Sequence, residues 1–237
     1  MHVIAVHTPY GRLGAVLSAL IAAFSLIGLT IHKDFYAGIR RKDFYCFYTN
    51  LSNLIVFVYF SLIAPRLYAY SALRPFIPHA EFAVMMCIML TFCVFHLLIF
   101  PAVYRAARGA ERTREFYIVC TDNVIVHYLV PWLVFLYWLL CSPGKSTLGL
   151  PDALLWTLIP ILYLIRVLRR AGRRKIIEET GSPYPYPFLD VSVLGVRRVA
   201  GICLLLYGTC LLAGFCVIGG LSALFARFGG GHALLLI

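Results

Sequence analysis

A threonine and a histidine, Thr49 and His127, are the two side chains in this sequence that could together do acyl chemistry. A hydroxyl becomes a nucleophile when a base takes its proton, and neutral imidazole is the side chain suited to that near pH 7. Around the first, the chain reads Tyr48-Thr49-Asn50-Leu51-Ser52-Asn53. Thr49, Ser52 and Asn53 are spaced i, i+3, i+4 and share one helix face, with Asn50 beside them. Ahead of His127 stand Asp122 and Asn123, either of which can orient an imidazole, and Asn123 and His127 again share a face. His96 is a further polar group inside an apolar run. Each has a plain alternative. A threonine in a membrane helix returns its hydroxyl to the i−4 carbonyl, histidine and asparagine tie helices together, and Asp122 caps a helix at the interface. His96, His127 and Asp122 also make a three-ligand set on paper. No accompanying residues hold it in order, so no metal and no cofactor is expected.

The elements that must position these groups follow from composition. The 237 residues are 62% hydrophobic and 13% charged, whereas a soluble domain carries about 25% charged residues. A membrane-spanning helix uses roughly 20 residues. Charge-free or nearly charge-free runs predict six of them, over residues 13–32, 45–65, 81–104, 116–140, 149–168 and 199–225. The expected fold is all-α, a polytopic bundle of six transmembrane helices forming one domain over 1–237, with the first helix retained rather than cleaved. At helical rise, Thr49 lies about 8 Å in from the first-loop end of its helix, His127 about 16 Å in from the third-loop end, and His96 about 12 Å from that end. Similar depths on three helices favour a shared polar cavity.

The charge pattern sets the orientation. Of the 21 basic residues, sixteen fall in the first loop (Lys33, Arg40, Arg41, Lys42), the third loop and the fifth region, and five fall on the other side. The positive-inside bias places the basic loops in the cytoplasm and both termini outside. The net charge of +11 is therefore read as topology and contact with anionic headgroups, with no nucleic-acid partner. The eight cysteines form no C-x-x-C pair and read as small apolar packing residues. Gly144-Lys145-Ser146 lacks the leading glycine of a phosphate loop, and neither H-E-x-x-H nor G-x-S-x-G occurs.

Tyr48-Thr49-Asn50, then Asn123-Val124-Ile125-Val126-His127 followed by Pro131, and then Tyr186-Pro187-Phe188-Leu189-Asp190 resemble the androgen-induced/androgen-dependent membrane protein family. The chain is more closely similar to the bacterial six-helix membrane proteins grouped with it, a resemblance that extends to His96-x4-Pro101 and to Leu139-Leu140-Cys141-Ser142-Pro143-Gly144. It runs from the second span into the sixth. The resemblance implies a multipass hydrolase of fatty acid esters of hydroxy fatty acids, with Thr49 and His127 at the positions of the family's threonine and histidine. It makes Tyr186, Pro187, Phe188 and Asp190 candidates for a substrate loop, and it implies a bacterial cytoplasmic membrane. There are three departures, the first being that His96 belongs only to the bacterial pattern. His127 is one residue closer to its proline than in the eukaryotic pattern, and both termini outside is the reverse of the usual eukaryotic drawing.

The expected activity is thus hydrolysis of an acyl lipid ester by a threonine nucleophile and a histidine base. A small proton-coupled transporter or channel using His96, Asp122 and His127, and a non-catalytic lipid-binding protein, are the competing readings.

Overall fold

In hydrocarbon every backbone amide must be paired within the protein, so apolar runs of this length fold as helices. The computed structural model describes residues 11–32, 43–69 and 71–228; Lys33, Arg40, Arg41 and Lys42, on which part of the orientation count rests, lie outside them. Among the described residues six helices are long and apolar enough to cross a membrane: Leu13–Ile31, Tyr48–Arg66, Ala72–Arg108, Phe116–Cys141, Leu150–Gly172 and Val196–Gly220. Among the described residues there is no strand, only an isolated bridge between Ile177 and Ser182. The protein is an all-α, multipass integral membrane protein. Large apolar side chains such as Leu204, Leu205 and Leu212 of the sixth span stand on its outer surface, as a lipid solvent requires.

Local chemistry moves several helix ends from where the charge pattern predicts them. The second span does not begin at 45, because Phe44–Cys46 closes a separate 3-10 turn and Phe47 is extended; the helix starts at Tyr48. The third is longer than 81–104. Its main helix opens at Ile77 with a proline in the first turn, where a missing N–H costs nothing. It runs on to Arg108. The fifth breaks into Leu150–Leu155 and Leu158–Gly172, just ahead of Pro160, which cannot supply the amide that would continue the first piece.

Three prolines act in a common way on the second, third and fourth spans. Pro65, Pro101 and Pro131 each stand two residues after a π-turn, Tyr59–Ile63, Phe95–Ile99 and Ile125–Leu129. The residue before each proline donates to the carbonyl five back: Ala64 to Tyr59, Phe100 to Phe95, Val130 to Ile125. A proline ring clashes with the carbonyl four residues earlier. One inserted residue widens the turn and lets the helix continue. His96 and His127 both sit in such turns.

The first span packs on the second and fourth through a narrow face of Ile21, Ser25, Gly28 and Leu29, all buried. Gly28 permits the approach, since a Cβ there would lie 2.6 Å from Val126 Cγ1. The core between the helices is Val56, Phe82, Met85, Ile88, Val126, Val130 and Val134. Residues 173–195 fold as a strap over one end of the bundle. Arg170 pairs with Asp43 at 2.5 Å, and the other Asp43 oxygen accepts the Glu178 N–H. Asp190 accepts from the Ser182 hydroxyl and from both the amide and hydroxyl of Ser192. These hydrogen bonds hold its carboxyl below the usual carboxylate range. At the opposite end, His79 meets Asp152 at 2.6 Å, and Glu81 and Lys145, each 2% exposed, lie in the protein interior.

Candidate active site

Thr49 is the second residue of its helix, and His127 lies in the π-turn of the fourth span. Both side chains are buried, and Thr49 Oγ1 is 3.2 Å from His127 Nε2. The other ring nitrogen, Nδ1, lies 3.2 Å from the Asn123 carbonyl oxygen. A carbonyl can only accept, so the proton is on Nδ1 and Nε2 keeps its lone pair. The Thr49 O–H therefore donates to His127. That is the direction a general base requires. Phe95 lies flat on the imidazole, with ring centroids 3.7 Å apart and 17° between planes, and this fixes the ring's tilt.

The polar residues flanking the pair hold the helices in place. Asn53 Nδ2 donates to the Thr49 carbonyl at 2.9 Å and to the Val126 carbonyl at 3.2 Å. In the π-turn's register the partner of the Val126 carbonyl would be residue 131, a proline with no N–H. Asn53 supplies the missing donor and bolts the second helix to the turn that carries His127. Ser52 donates to the Thr49 carbonyl and meets the Thr91 hydroxyl at 2.7 Å. Asn50 donates to the Phe44 carbonyl, closing the 3-10 turn that precedes the helix. Asp122 is buried on the helix turn before His127. The Asn123 side chain returns to the Val119 carbonyl of its own helix, so its backbone oxygen, not its amide, orients the imidazole.

His96 stands apart from this group. It is exposed on the outer flank of the third span, accepting from or donating to the Tyr128 hydroxyl at 3.0 Å and stacked against Phe92 and Phe100. Among the described residues no three His, Cys, Asp or Glu side chains converge as a metal site would need.

The strap contributes Tyr186. Its hydroxyl oxygen accepts the Tyr48 N–H at 2.9 Å and lies 3.4 Å from the Thr49 amide nitrogen, capping the start of the second helix. Burial raises the Tyr186 phenol above its ordinary value, and hydrogen bonds from Thr49 and Tyr48 oppose the rise. Phe188 stacks on Tyr186 at 5.2 Å, exposed Pro187 turns the chain between them, and Asp190 anchors the far end of the strap.

Tyr48, Thr49, Thr91, Tyr163, Tyr186 and Tyr207 bring polar groups to the wall of an otherwise apolar cavity of about 120 Å³ between the second, third, fifth and sixth spans and the strap. Leu90, Val94, Ile99, Ile161, Leu164 and Leu206 line its body. His127 is behind Thr49 and does not line it. Phe95 and Tyr163 belong to none of the motifs read from the sequence. The proline two residues past each π-turn is the signal that could have located Phe95. Tyr48 and Tyr163 pack edge to face at 5.1 Å across more than a hundred residues, and no local pattern announces such a contact. Comparison of the chain with protein-family models, with curated proteins and with solved structures gives no match.

Proposed function

We propose that this protein is an intramembrane hydrolase that cleaves the ester of an acyl lipid, with Thr49 as nucleophile and His127 as base. The reading rests on one observation: a buried threonine hydroxyl donates to a correctly protonated imidazole and faces a cavity whose body is apolar. Such a cavity accepts an acyl chain and excludes a peptide or a sugar. In the reaction, Thr49 Oγ attacks the carbonyl carbon as His127 Nε2 takes its proton. The alkoxide leaves with that proton as an alcohol. Water then repeats the attack on the acyl-threonine with His127 as base, releasing the fatty acid and restoring Thr49. The sequence resemblance favours fatty acid esters of hydroxy fatty acids within this class. The arginine-rich ends of the third and fifth spans suit anionic headgroups and a cytoplasmic position, in a bacterial cytoplasmic membrane with the termini outside.

The test is covalent labelling with a fluorophosphonate, alongside hydrolysis of a long-chain ester by purified protein in detergent. Thr49→Ala should abolish both, Thr49→Ser should retain part, and His127→Ala should lose as much as Thr49→Ala, because paired nucleophile and base fail as a unit. Wild-type hydrolysis by Thr49→Ala would end the proposal.

A further inference from the structure

The tetrahedral intermediate in this reaction places a negative charge on the former carbonyl oxygen, and a site dry enough to bind an acyl chain must stabilise it with fixed donors. The first-turn amides of the second helix are the obvious candidates, since helix N-termini carry unpaired N–H groups and positive potential. Two of them are already engaged. The Tyr48 and Thr49 amides point at the Tyr186 hydroxyl oxygen, at 2.9 and 3.4 Å.

An accounting of protons shows what remains. The Tyr186 oxygen is spent accepting two N–H groups, so its own O–H is left to donate. Tyr163 has given its proton to the Cys46 carbonyl at 2.8 Å and can only accept from Tyr186. The Thr49 hydroxyl has given its proton to His127 and likewise can only accept. A phenol that accepts from two amides at a helix N-terminus is polarised into a stronger donor, as chained hydrogen bonds polarise one another. Its ring lines the same cavity as Thr49, and Phe188 stacked on it holds it in place.

Resting on the hydrolase reading, we infer that Tyr186 is a catalytic residue: its phenolic O–H passes the potential of the second helix's N-terminus to the oxyanion formed at Thr49. In the ground state that proton rests on neighbouring hydroxyl oxygens. As the Thr49 Oγ–carbon bond forms and the carbonyl π pair moves to oxygen, the proton turns to the new anion without leaving Tyr186. When the carbon–alkoxide bond breaks and the carbonyl re-forms, the contact weakens again. The strap is thus part of the site as well as its cover.

The experiment compares a long-chain 4-nitrophenyl ester with its thionoester, in which sulfur replaces the carbonyl oxygen and accepts hydrogen bonds poorly. Wild type should prefer the oxo ester. Tyr186→Phe should lose about 10²–10³ in kcat, the usual effect of one oxyanion donor, with KM little changed and the oxo-over-thiono preference collapsed. A tyrosine that merely caps the helix would lower stability and leave that preference intact, which overturns the inference. If Tyr186→Phe does not fold, 3-fluorotyrosine is placed at 186. Its phenol ionises at lower pH, so the alkaline limb of kcat should move to lower pH, and an unmoved limb overturns the inference equally. An inactive wild type, or an active Thr49→Ala, would instead defeat the hydrolase reading beneath it.

Discussion

Replacing Asn53 by leucine keeps the branched side-chain shape and removes the donor that serves the Val126 carbonyl. Asn53 is fully buried, so water cannot take its place. The Thr49 carbonyl loses one bond but keeps the Ser52 hydroxyl at 3.0 Å. The Val126 carbonyl loses a partner that the backbone cannot replace, because position 131 is proline. A buried acceptor left unpaired costs about 1–3 kcal/mol, which corresponds to a fall in midpoint of about 2–12 °C for a protein of this size. On the proposed function, the loss of labelling should be larger in proportion. Asn53 joins the helix bearing Thr49 to the turn bearing His127, and a misplacement of about 1 Å between reacting groups can cost about 10²-fold. Thermal unfolding in detergent and fluorophosphonate labelling rates measure the two effects. Pro131→Ala supplies an amide at position 131, so adding it to Asn53→Leu should restore part of both losses and make the two changes non-additive. Additive losses, or an Asn53→Leu protein as stable and reactive as wild type, would refute the claim that Asn53 completes the broken hydrogen-bond ladder.

Two further outcomes follow from the packing. Gly28→Ala places a methyl 2.6 Å from Val126 Cγ1; it should destabilise by about 1–3 kcal/mol, the range for overpacking, and slow Thr49 labelling because the strained turn carries His127. Thermal midpoints and labelling rates report both. Burial lowers Lys145 from its ordinary 10.5 to about 8, so between about 8 and 10.5 the unfolded chain binds more protons than the folded one and stability should rise with pH. A midpoint series over that window should show the rise in wild type and its loss in Lys145→Met.

Span number was legible in the sequence because it depends on a sum over some twenty residues, and no single side chain overturns such a sum. The faces within a span depend on angle, which is less forgiving. Thr49, Ser52 and Asn53 share a face at i, i+3, i+4 spacing because Tyr48–Val58 is regular helix. His96 was grouped with His127 on depth alone. Depth fixes position along the axis and leaves azimuth free; the neighbouring residue Phe95 takes the inward place against His127 while His96 faces outward. Each π-turn adds a residue to the register, so a wheel drawn at 3.6 residues per turn misassigns what lies beyond it. Proline positions encode that correction, since Pro65, Pro101 and Pro131 follow their turns at one spacing. Tyr186 is the harder case. It reaches the second helix across 138 residues, and its place depends on how Asp43, Arg170 and Asp190 tie down the strap. Thr49, Ser52 and Asn53 belong to one regular helical pattern and could be read within a single helix. Tyr186 arrives from a segment whose position exists only once the bundle has formed.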